Sequence, residues 1–578
     1  MAPTDQLQEV KIMLHGTAAS EGIGIGKVML IEEHSLEYTP RTVTDTEAES
    51  QRFKAAVDAF CYNTEKQAEN LRSSAGEKEA EILAGHIQII KDPYLSGEIE
   101  KLIADGQCAE SALEHMCDMF IAMFSAADDE LTKQRATDVR DIKSGVLGIL
   151  LGVNEIKVSD APKGTVLVAR ELTPSVTAGI VKENIAGIIT ETGGTTSHSA
   201  ILARALEIPA VLSVEGVASS LKNGDTVVVD GSEGAVIVNP DDNTVAEYSK
   251  KRDAFLAERK ELENYRGRET KSASGEAYEL FCNIGKPEDA VKAVDADGEG
   301  VGLFRTEFLF MDRTLIPTED EQFEAYKKAA LILKGKSLII RTLDIGGDKD
   351  IPYLGLEKEE NPFMGFRAIR YCLKNRELFK SQIKAILRAS AFGDVKIMFP
   401  LITTMDELRE GKKLVAECKA DLRNMDINFN ENIHVGVMVE TASAAVIADM
   451  LAKEADFFSI GTNDLTGYTM ACDRGNNDVS YLYSPLQPSV LRMIKRTIEC
   501  GVQNGISVGM CGEAAANKLM IPLLISFGLT EFSVSSPSVL NVRKIISTWT
   551  KEEADKVTAK VLEMSTQQEI VEYLKSVV

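Results

Sequence analysis

The chain has 578 residues and an ordinary globular composition, 44% hydrophobic and 26% charged, which excludes a disordered, collagen-like or coiled-coil protein. At about 100–200 residues per domain, this length predicts several domains. Its 89 acidic and 64 basic residues give a net charge of −25, which disfavours general binding to nucleic acid or to an anionic membrane surface.

The N-terminal residues 1–14 contain charges and no apolar core with a cleavage site, so we expect no signal peptide. The longest apolar stretches, such as residues 519–529, are shorter than the roughly 18 residues needed to span a bilayer. The nine cysteines are scattered without a CxxC pair, which fits neither a disulfide framework nor a zinc site. We therefore predict a cytoplasmic protein without membrane insertion.

The first predicted domain is interrupted by an insertion. Residues 16–31 have the pattern of glycine-rich turns followed by a strand. Comparable strand-rich segments return only at 164–169, 187–190, 226–230 and 235–238. One split α/β domain, formed by residues 14–43 and 152–242, explains this pattern better than two small sheets.

The insertion, residues 44–151, lacks β-rich runs and has apolar residues at helical spacing, which predicts an all-α bundle. Residues 44–150 contain 11 basic and 21 acidic residues, a net charge of −10. The solvated faces of a helical bundle would account for this charge without any functional role.

A candidate phosphoryl site follows a predicted strand at residues 192–203 (TGGTTSHSAILA). Gly193 and Gly194 open a turn, and the Ser/Thr run after them can cap a helix whose first turn includes His198. The N–H groups and dipole of such a helix end favour an anion. We predict that His198 carries a phosphoryl group on a ring nitrogen, since none of the other five histidines has a comparable setting.

The remaining chain predicts a linker and a barrel. Residues 243–271 are highly charged with few apolar positions, which indicates an exposed linking helix. In residues 272–578 short apolar runs alternate with helical segments, which is typical of a (β/α)8 TIM barrel. The predicted strands are residues 278–284, 300–308, 337–345, 395–402, 434–439, 457–460, 506–510 and 531–534.

Polar side chains close five of these eight runs, at the end of the barrel where such folds carry their chemistry. They are Arg305, Arg341, Glu440, Asn463 with Asp464, and Cys511. Core strands need none of these residue types, since an unpaired buried charge is costly. These positions therefore predict a site at the barrel mouth.

The arginines and carboxylates together indicate the ligand. Arg305 and Arg341 have guanidinium groups suited to carboxylate and phosphate oxygens. Glu440 and Asp464 supply hard oxygen ligands, the usual way to hold Mg²⁺ with two carboxylates. We predict a metal-assisted site for a phosphate ester that carries a carboxylate. Further arginine candidates are Arg367, Arg388 and Arg474.

Cys511, in the segment GMCGE, allows two interpretations. It is either a buried structural thiol, as free cysteines commonly are, or a proton donor. A thiol at its ordinary pKa of about 8.5 is mostly protonated at neutral pH. Nearby phosphate favours the thiol, whereas arginines and a metal favour the thiolate, so the residues leave this balance open.

Six long motifs in a fixed order resemble one known family. They are GGTTSHSAILARALEIPAV at 193–211, GLFRTEFLFMDR at 302–313, RTLDIGGDK at 341–349, ENPFMGFRAIR at 360–370, FFSIGTNDLTGYTMACDRGN at 457–476 and GMCGE at 509–513. From about residue 16 to its end, the chain resembles the phosphoenolpyruvate-protein phosphotransferases, the enzymes I of the bacterial sugar phosphotransferase system.

The resemblance implies a first phosphoryl transfer at the barrel mouth. His198 attacks the phosphorus of phosphoenolpyruvate, which gives a phosphohistidine and the enolate of pyruvate, and Cys511 protonates the enolate carbon. The implied Mg²⁺ ligands are Glu440 and Asp464. The implied substrate-binding residues are Asn463, on the phosphate, and the arginines Arg305, Arg341 and Arg474.

The resemblance also implies a second transfer, to a histidine of the small carrier protein HPr, which begins sugar uptake. The inserted bundle is then the carrier's dock, and its acidic charge would steer a carrier with a basic rim. Because His198 must meet both the barrel and the carrier, we expect the split domain to swivel. A homodimer through the barrel is also implied. The implied carrier-binding residues are His86, Ile89, Asp92 and Leu95, with Glu77, Glu79 and Phe124 as weaker matches.

Three positions depart from the family pattern. Thr195 stands where the family usually has an arginine beside the phosphorylated histidine, which removes a fixed positive charge. Gly467 replaces a glutamine and Ala442 replaces a proline, and we expect both to adjust loop geometry.

Two other functions are compatible with parts of the chain. Pyruvate-phosphate dikinases and phosphoenolpyruvate synthases share the histidine domain and the barrel, but they need a nucleotide-binding domain of several hundred residues, for which residues 1–43 have no room. A catalytically silent binding protein would use only the helical bundle. It would not need His198, Glu440, Asp464 and Cys511, so we prefer the phosphotransferase.

Overall fold

The structure, a computed structural model, describes most of the chain as two units, residues 1–259 and 260–578. The described residues are 12–31, 36–74, 77–126, 130–153, 158–177, 179–194, 197–311, 313, 315–346, 351–357, 359–474 and 476–578.

A mixed sheet of eight strands organises the first unit. Its strands are β1 (Ile12–His15), β2 (Thr17–Ser20), β3 (Ile23–Ile31), β4 (Thr165–Ala169), β5 (Ile185–Thr190), β6 (Ala210–Leu212), β7 (Thr226–Asp230) and β8 (Ala235–Val238). They lie in the order β1-β8-β7-β3-β4-β5-β6-β2; the run from β3 to β6 is parallel and the other pairs are antiparallel. Since β3 pairs with both β4 and β7, segments on either side of the insertion share one sheet, as predicted.

Strand β3 contains the glycines that we predict as turns, and that prediction is wrong. A Cβ atom at Gly24 would lie 2.0 Å from the carbonyl oxygen of Ala186, and one at Gly26 would lie 2.0 Å from that of Gly164. These glycines therefore allow two backbones to approach closely inside a sheet, and they do not interrupt the strand.

Five helices form the insertion between β3 and β4. They are α1 (Thr46–Ser74), α2 (Glu77–Ile90), α3 (Pro93–Ala104), α4 (Ala109–Ser125) and α5 (Glu130–Leu151). They share one apolar core that includes Phe53, Ile99, Leu113 and Ile142, which confirms the predicted all-α bundle. Leu83 of α2 instead packs in the apolar core beside the sheet, so the bundle and the sheet are joined.

Three short helices lie between strands of the sheet domain: α6 (Pro174–Thr177), α7 (His198–Leu206) and α8 (Val217–Ser220).

The linking helix is shorter than predicted. Helix α9 (Asp242–Leu262) follows the sheet and ends nine residues before position 271, at a 3-10 turn. Beyond it, the buried Arg543 donates to the Tyr265 carbonyl at 3.1 Å and to the Thr270 hydroxyl at 3.0 Å, which fastens this segment to the barrel.

The second unit is a closed barrel of eight parallel strands, which confirms the predicted (β/α)8 fold. Its strands are β9 (Glu279–Ile284), β10 (Gly300–Arg305), β11 (Leu338–Arg341), β12 (Val395–Phe399), β13 (Val435–Val439), β14 (Phe457–Ile460), β15 (Ser507–Met510) and β16 (Glu531–Val534). Neighbours in the chain pair around the barrel, and β16 pairs with β9. The predicted runs 300–308 and 337–345 are too long, because β10 and β11 end at their arginines.

Helices surround the barrel and bury one large apolar core against its strands. They are α10 (Asp289–Asp295), α11 (Glu319–Leu333), α12 (Ala368–Lys374), α13 (Arg376–Ala389), α14 (Met405–Asn424), α15 (Ala442–Val446), α16 (Ala448–Leu451), α17 (Thr462–Met470), α18 (Pro488–Gln503), α19 (Ile521–Phe527), α20 (Val539–Thr548), α21 (Lys551–Glu563) and α22 (Gln567–Val577). None of the described helices has the combination of length and apolar character that a membrane crossing requires.

Candidate active site

Two arginines lie side by side at the carboxyl ends of β10 and β11, since Arg305 and Arg341 are partners in the strand register. Arg341 is buried, and its Nη2 donates to Glu307 Oε1 at 2.6 Å while its Nη1 lies 3.0 Å from Asp344 Oδ2. Burial lowers the pKa of the Arg341 guanidinium, but Glu307 and Asp344 outweigh burial and raise it, so this side chain is a fixed cation. Its Nε has no hydrogen-bond partner among the described residues.

A second buried arginine continues this network. Arg367 Nη2 donates to Asp344 Oδ1 at 2.8 Å and lies 3.2 Å from Asp464 Oδ2. Its Nη1 donates to the Tyr468 hydroxyl at 3.4 Å. Asp344 therefore joins Arg341 to Arg367. The sequence names Arg367 only as one of several candidates, and its place beside Asp464 depends on a loop that sequence patterns do not describe.

Glu440 directly follows β13 and is buried. Its Oε1 accepts the Leu401 backbone N–H at 2.7 Å. A Cβ atom at Gly461 would lie 2.7 Å from its Oε2, so glycine leaves room for the carboxyl group. Burial and the charges of Asp464 and Asp344 raise the pKa of Glu440, against the lowering effect of the arginines. The carboxyl groups of Glu440 and Asp464 are thus held close together in a poorly solvated place.

This pair of carboxylates fits a divalent cation. Asp464 is the charge that most disfavours ionised Glu440, and a dication between such groups would reverse that effect. Among the described residues, no three His, Cys, Asp or Glu side chains gather into a metal-binding group. A metal here would have two protein carboxylates, with substrate and water oxygens as its other ligands, which is how Mg²⁺ is commonly bound.

Asn463 and Asp464 lie in the first turn of α17, against the loop that follows β15. Asn463 Nδ2 lies 3.5 Å from Glu513 Oε1, and the Glu513 backbone N–H lies 3.5 Å from Asn463 Oδ1. A Cβ atom at Gly512 would lie only 1.9 Å from Thr462 Oγ1. The glycine therefore allows the loop and the helix end to touch.

Arg474 is exposed in the loop after α17, at the edge of this site. Burial raises the pKa of Tyr483 to about 12, and the charge of Arg474 partly offsets that rise. The Tyr483 hydroxyl donates to the Asn463 carbonyl at 3.0 Å. By contrast, Arg388 pairs with two acidic residues of α11 at 2.6 Å and 2.7 Å, in the outer layer of helices.

Cys511 directly follows β15 and is 3% exposed. Its backbone N–H donates to the Ile460 carbonyl at 3.2 Å, and its Sγ lies 3.8 Å from the same oxygen. Burial raises the pKa of the thiol to about 11, although Arg341 lowers it. This protein environment favours the protonated thiol. The apolar residues packed with it are Leu303, Ile339, Met398, Met438 and Phe457.

His198 lies in the first unit, as the first residue of α7. Ser197 is the helix cap, and its Oγ accepts the Ala200 backbone N–H at 3.3 Å. The turn before the helix has Gly193 at φ +108°, and the Ser213 hydroxyl donates to the Gly193 carbonyl at 2.5 Å. The side chain of His198 and the departure at Thr195 lie outside the described residues.

The other two departures from the family pattern fit their surroundings. Ala442 begins α15 after Thr441, whose Oγ1 accepts the Ala444 N–H at 3.0 Å, and the first position of a helix accepts alanine as well as proline. A Cβ atom at Gly467 would lie 3.2 Å from the Cys472 carbonyl oxygen, so a larger residue would require a small shift.

The implied carrier-binding residues in the bundle divide by exposure. His86 is 1% exposed between α2 and α5, with Nε2 3.4 Å from Asp138 Oδ1, and Leu95 is 3% exposed in the bundle core. Both side chains are buried, so their role in carrier binding, which stays a prediction, would be to support the docking surface from inside. Ile89 is half-buried and Asp92 is exposed, where Asp92 caps α3. The side chains of Glu77 and Glu79 lie outside the described residues.

Sequence reasoning missed an apolar surface on α3 and α4. Tyr94, Met119 and Met123 are 61%, 45% and 56% exposed, and the Tyr94 and Phe120 rings lie 6.3 Å apart. Phe120 also contacts the half-buried Phe124, one of the weaker matches. We call Tyr94, Met119, Phe120, Met123 and Phe124 the bundle patch. The signal was an excess of large apolar residues on α4 beyond what one buried face can use.

Comparison with known proteins assigns most of the chain to models of phosphoenolpyruvate-utilising enzymes. The PEP-utilising enzyme, N-terminal model matches residues 15–135, the mobile-domain model matches 161–234, and the PEP-binding-domain model matches 259–550.

Named relatives match the chain over almost its whole length. The phosphoenolpyruvate-protein phosphotransferase of Bacillus subtilis (strain 168) is 46% identical, with 98% of this chain and 99% of the relative covered. That of Staphylococcus carnosus (strain TM300) is 43% identical, with 97% and 98% covered. A solution structure titled Enzyme I (nEIt) is 37% identical, with 42% of this chain and 99% of that chain covered, at a TM-score of 0.38.

The fold and the site define a multidomain α/β enzyme with a TIM barrel and a separate histidine-bearing domain. The chain belongs to the family of phosphoenolpyruvate-protein phosphotransferases, which confirms the resemblance drawn from its motifs, and it is a transferase.

Proposed function

We propose that this protein transfers the phosphoryl group of phosphoenolpyruvate to His198, releases pyruvate, and then passes the phosphoryl group to a histidine of an HPr-type carrier. The supporting observation is the cluster at the barrel mouth, where the ion-paired Arg341 and Arg367, the carboxylates Glu440 and Asp464 and the protonated thiol of Cys511 occur together. The arginines and carboxylates are groups that a barrel core has no structural need to bury.

Charge counting explains why such a mouth would need a metal. Among the described residues of this cluster, three arginines face four acidic residues, so the cluster offers little net positive charge to a doubly charged ester. These groups are Arg305, Arg341 and Arg367, and Glu307, Asp344, Glu440 and Asp464. Glu440 and Asp464 would hold Mg²⁺, which when bound neutralises charge on the transferred phosphoryl group.

The arginines would fix the substrate. Arg341 and Arg367 are each held by carboxylates, so their guanidinium groups are oriented before any ligand arrives. The unused Nε–H of Arg341 is a donor for a substrate oxygen. Arg305 and Asn463 would contact the same ligand, and Arg474 would close the outer edge. Such positioning and charge neutralisation account for most of the catalysis in phosphoryl transfer.

In the transfer step, an imidazole nitrogen of His198 forms a bond to phosphorus as the bond from phosphorus to the enol oxygen breaks. The electron pair stays on that oxygen and gives the enolate of pyruvate. The capped start of α7 suits the phosphorylated histidine, since helix N-termini stabilise anions. Cys511 then gives its thiol proton to the enolate carbon, and the thiolate regains a proton from solvent. Because pyruvate is far more stable than its enolate, this protonation commits the reaction.

For the second transfer we propose that the carrier docks on the bundle patch. Exposed aromatic and methionine side chains are typical of protein interfaces. The surrounding acidic charge, −10 over residues 44–150, would attract a partner with a basic surface. Ile89 lies near the end of α2 and Asp92 caps the start of α3, and both would contact the carrier. His86 and Leu95 would support these helices from inside.

Three further features of the proposal follow from the resemblance. His198 has to reach two partners in turn, so the split domain would swivel between them. A homodimer formed through the barrel and a cytoplasmic location remain predictions, which sedimentation of the purified protein and fractionation of cells would test.

The test uses the full-length protein incubated with Mg²⁺ and phosphoenolpyruvate labelled with ³²P. We expect one acid-labile label per chain, and addition of HPr should move that label to the carrier. His198→Ala should give no label, because no other described histidine follows a comparable glycine turn and cap.

Two results would contradict the proposal. Label retained in His198→Ala would assign the acceptor to another residue. Absence of any label in the wild-type protein would instead support a silent binding protein. Thermal melting of both proteins provides the control for folding.

A further inference from the structure

The side chain of Asn283 crosses the inside of the barrel at its carboxyl end. Asn283 belongs to β9, yet its Nδ2 donates to the Cys511 carbonyl at 3.0 Å and to the Ser533 carbonyl at 3.3 Å. Its Oδ1 accepts the Ser533 hydroxyl at 2.7 Å. One amide thereby connects β9, β16 and the end of β15.

The contact replaces a strand hydrogen bond where the sheet ends. The register of β15 with β16 includes Gly509 and Met510, and Cys511 is the next residue beyond the strand. The Cys511 N–H is already bound to the Ile460 carbonyl of β14 at 3.2 Å. The amide of Asn283 binds the Cys511 carbonyl, in the next peptide group, so the backbone of Cys511 is held from β14 on one side and from β9 on the other.

Holding this residue matters for the chemistry because the enolate carbon is planar. A proton donor fixed above one face delivers its proton to that face only, whereas a mobile thiol or solvent would protonate both faces. A displacement of about 1 Å can cost on the order of a hundredfold in rate. Cys511 is 3% exposed, so the position of its backbone sets where its thiol can deliver the proton.

We propose that Asn283 is a positioning residue for Cys511, and that Ser533 orients the Asn283 amide for this task. The proposal rests on the proton-donor role given to Cys511 above. Asn283 does not touch the substrate in this account. It acts through the carbonyl of Cys511, by fixing the direction from which the thiol proton is delivered.

The experiment compares Asn283→Ala, Ser533→Ala and Cys511→Ala with the wild-type protein in single turnovers. The substrate is phosphoenolpyruvate labelled stereospecifically with deuterium at C3, in tritiated water, so that the methyl group of pyruvate becomes chiral. Asn283→Ala should lower turnover about tenfold to a hundredfold, with KM for phosphoenolpyruvate changed less than about threefold. Its pyruvate should be partly racemic, where the wild type gives one configuration. The turnover of Ser533→Ala and the configurational purity of its pyruvate should lie between those of the wild type and Asn283→Ala.

A matched control separates positioning from general damage. Asn504→Ala removes a similar amide, whose Nδ2 donates to the Cys500 carbonyl at 2.8 Å beyond the end of α18, before β15 begins. It should melt at a lower temperature but keep wild-type stereochemistry. If Asn283→Ala fails to fold, the milder Ser533→Ala still tests the proposal through the configuration of the product.

The outcomes distinguish this inference from the function on which it rests. Pyruvate of a single configuration from Asn283→Ala and Ser533→Ala, together with racemic product from Cys511→Ala, would overturn the inference alone. A single configuration from Cys511→Ala would overturn the proton-donor role itself. Partial racemisation in Asn283→Ala with full racemisation in Cys511→Ala supports both.

Discussion

The barrel mouth and the bundle patch use opposite physical means. At the mouth, charged groups are buried and satisfied by each other: Arg341, Asp344 and Arg367 are all less than 10% exposed. On the bundle, large apolar groups are exposed to water, and Tyr94 and Met123 are both more than half exposed.

This difference separates chemistry from recognition. Buried charge is expensive, so it is kept where a reaction needs oriented groups in a poorly solvated place. Exposed apolar surface is costly in water and is recovered when a partner covers it. Changes at the mouth should therefore affect phosphorylation of the protein itself, and changes on the patch should affect only transfer to the carrier.

The largest effect is expected at the mouth from Arg341→Met. It removes the proposed substrate contact and takes away the cation that faces the buried Glu307, while Asp344 keeps its ion pair with Arg367. We expect phosphorylation of His198 to slow at least on the order of 10³-fold, and unfolding to become easier by about 3–5 kcal/mol. Rapid-quench labelling and thermal melting measure the two effects.

Arg388→Met is the matched control, because Arg388 is also ion-paired but lies among the outer helices. Its activity should stay within about threefold of the wild type, since this partly solvated ion pair lies away from the barrel mouth and such pairs contribute little. Equal loss of activity in both variants would mean that the mouth has no special role.

A smaller effect is expected from Cys511→Ala. Pyruvate formation should slow about 10²- to 10⁴-fold, the usual contribution of a general acid, with little change in affinity for phosphoenolpyruvate. Because the pKa of the thiol is raised to about 11, the donor form is lost only as the pH rises towards 11. The wild-type rate should therefore show no loss of this acid between pH 7 and 9. A fall in the wild-type rate between pH 7 and 9 that is absent in Cys511→Ala would contradict the raised pKa of the thiol.

The bundle patch provides the next test. Tyr94→Ser combined with Met123→Ser should raise KM for the carrier about tenfold, which corresponds to about 1.4 kcal/mol, because buried apolar contact is lost. Phosphorylation of His198 by phosphoenolpyruvate should not change. Tyr62→Ser, which alters another exposed aromatic residue on α1, is the control. An equal loss from Tyr62→Ser, or a slower first transfer in the patch variant, would break the proposed separation.

The smallest effect on either phosphoryl transfer is expected from a buried acid that the chemistry does not use. Glu531 lies inside the barrel, and burial followed by the charge of Glu279 raises its pKa to about 8. The folded form thus keeps its proton where the unfolded form has lost it. Stability from this group is present below about pH 4.5 and is lost as the pH rises through 8.

Glu531→Gln should remove this dependence and stabilise the barrel at pH 8 by a few kcal/mol, on the order expected for such a shift. Melting temperatures at pH 5 and pH 8 measure it, with the exposed Glu552→Gln as the control. The same pH dependence in wild type and Glu531→Gln would show that Glu531 is ionised in the folded protein.

Sequence alone predicted the barrel and most of its mouth because strand ends and functional residues coincide in the chain. Arg305, Arg341 and Cys511 each end or follow a strand, so counting apolar runs located them. Arg367 was harder to place, since the long segment that carries it between β11 and α12 meets Asp464 only in the folded protein.

The bundle and the first sheet were harder for a different reason. The family resemblance names His86 and Leu95 as carrier-binding residues but does not show how the helices of the bundle pack, and in the structure both side chains are inside. Gly24 and Gly26 have the composition of a turn, yet their conformation is set by backbones that are more than 100 residues away in the chain.

The most direct test of the account follows two products in one reaction. Full-length protein is mixed with phosphoenolpyruvate and Mg²⁺, and both free pyruvate and phosphate bound at residue 198 are measured over time. The account predicts one pyruvate per phosphohistidine, with coincident time courses, and neither product in His198→Ala. Pyruvate formed by His198→Ala at the wild-type rate would contradict it.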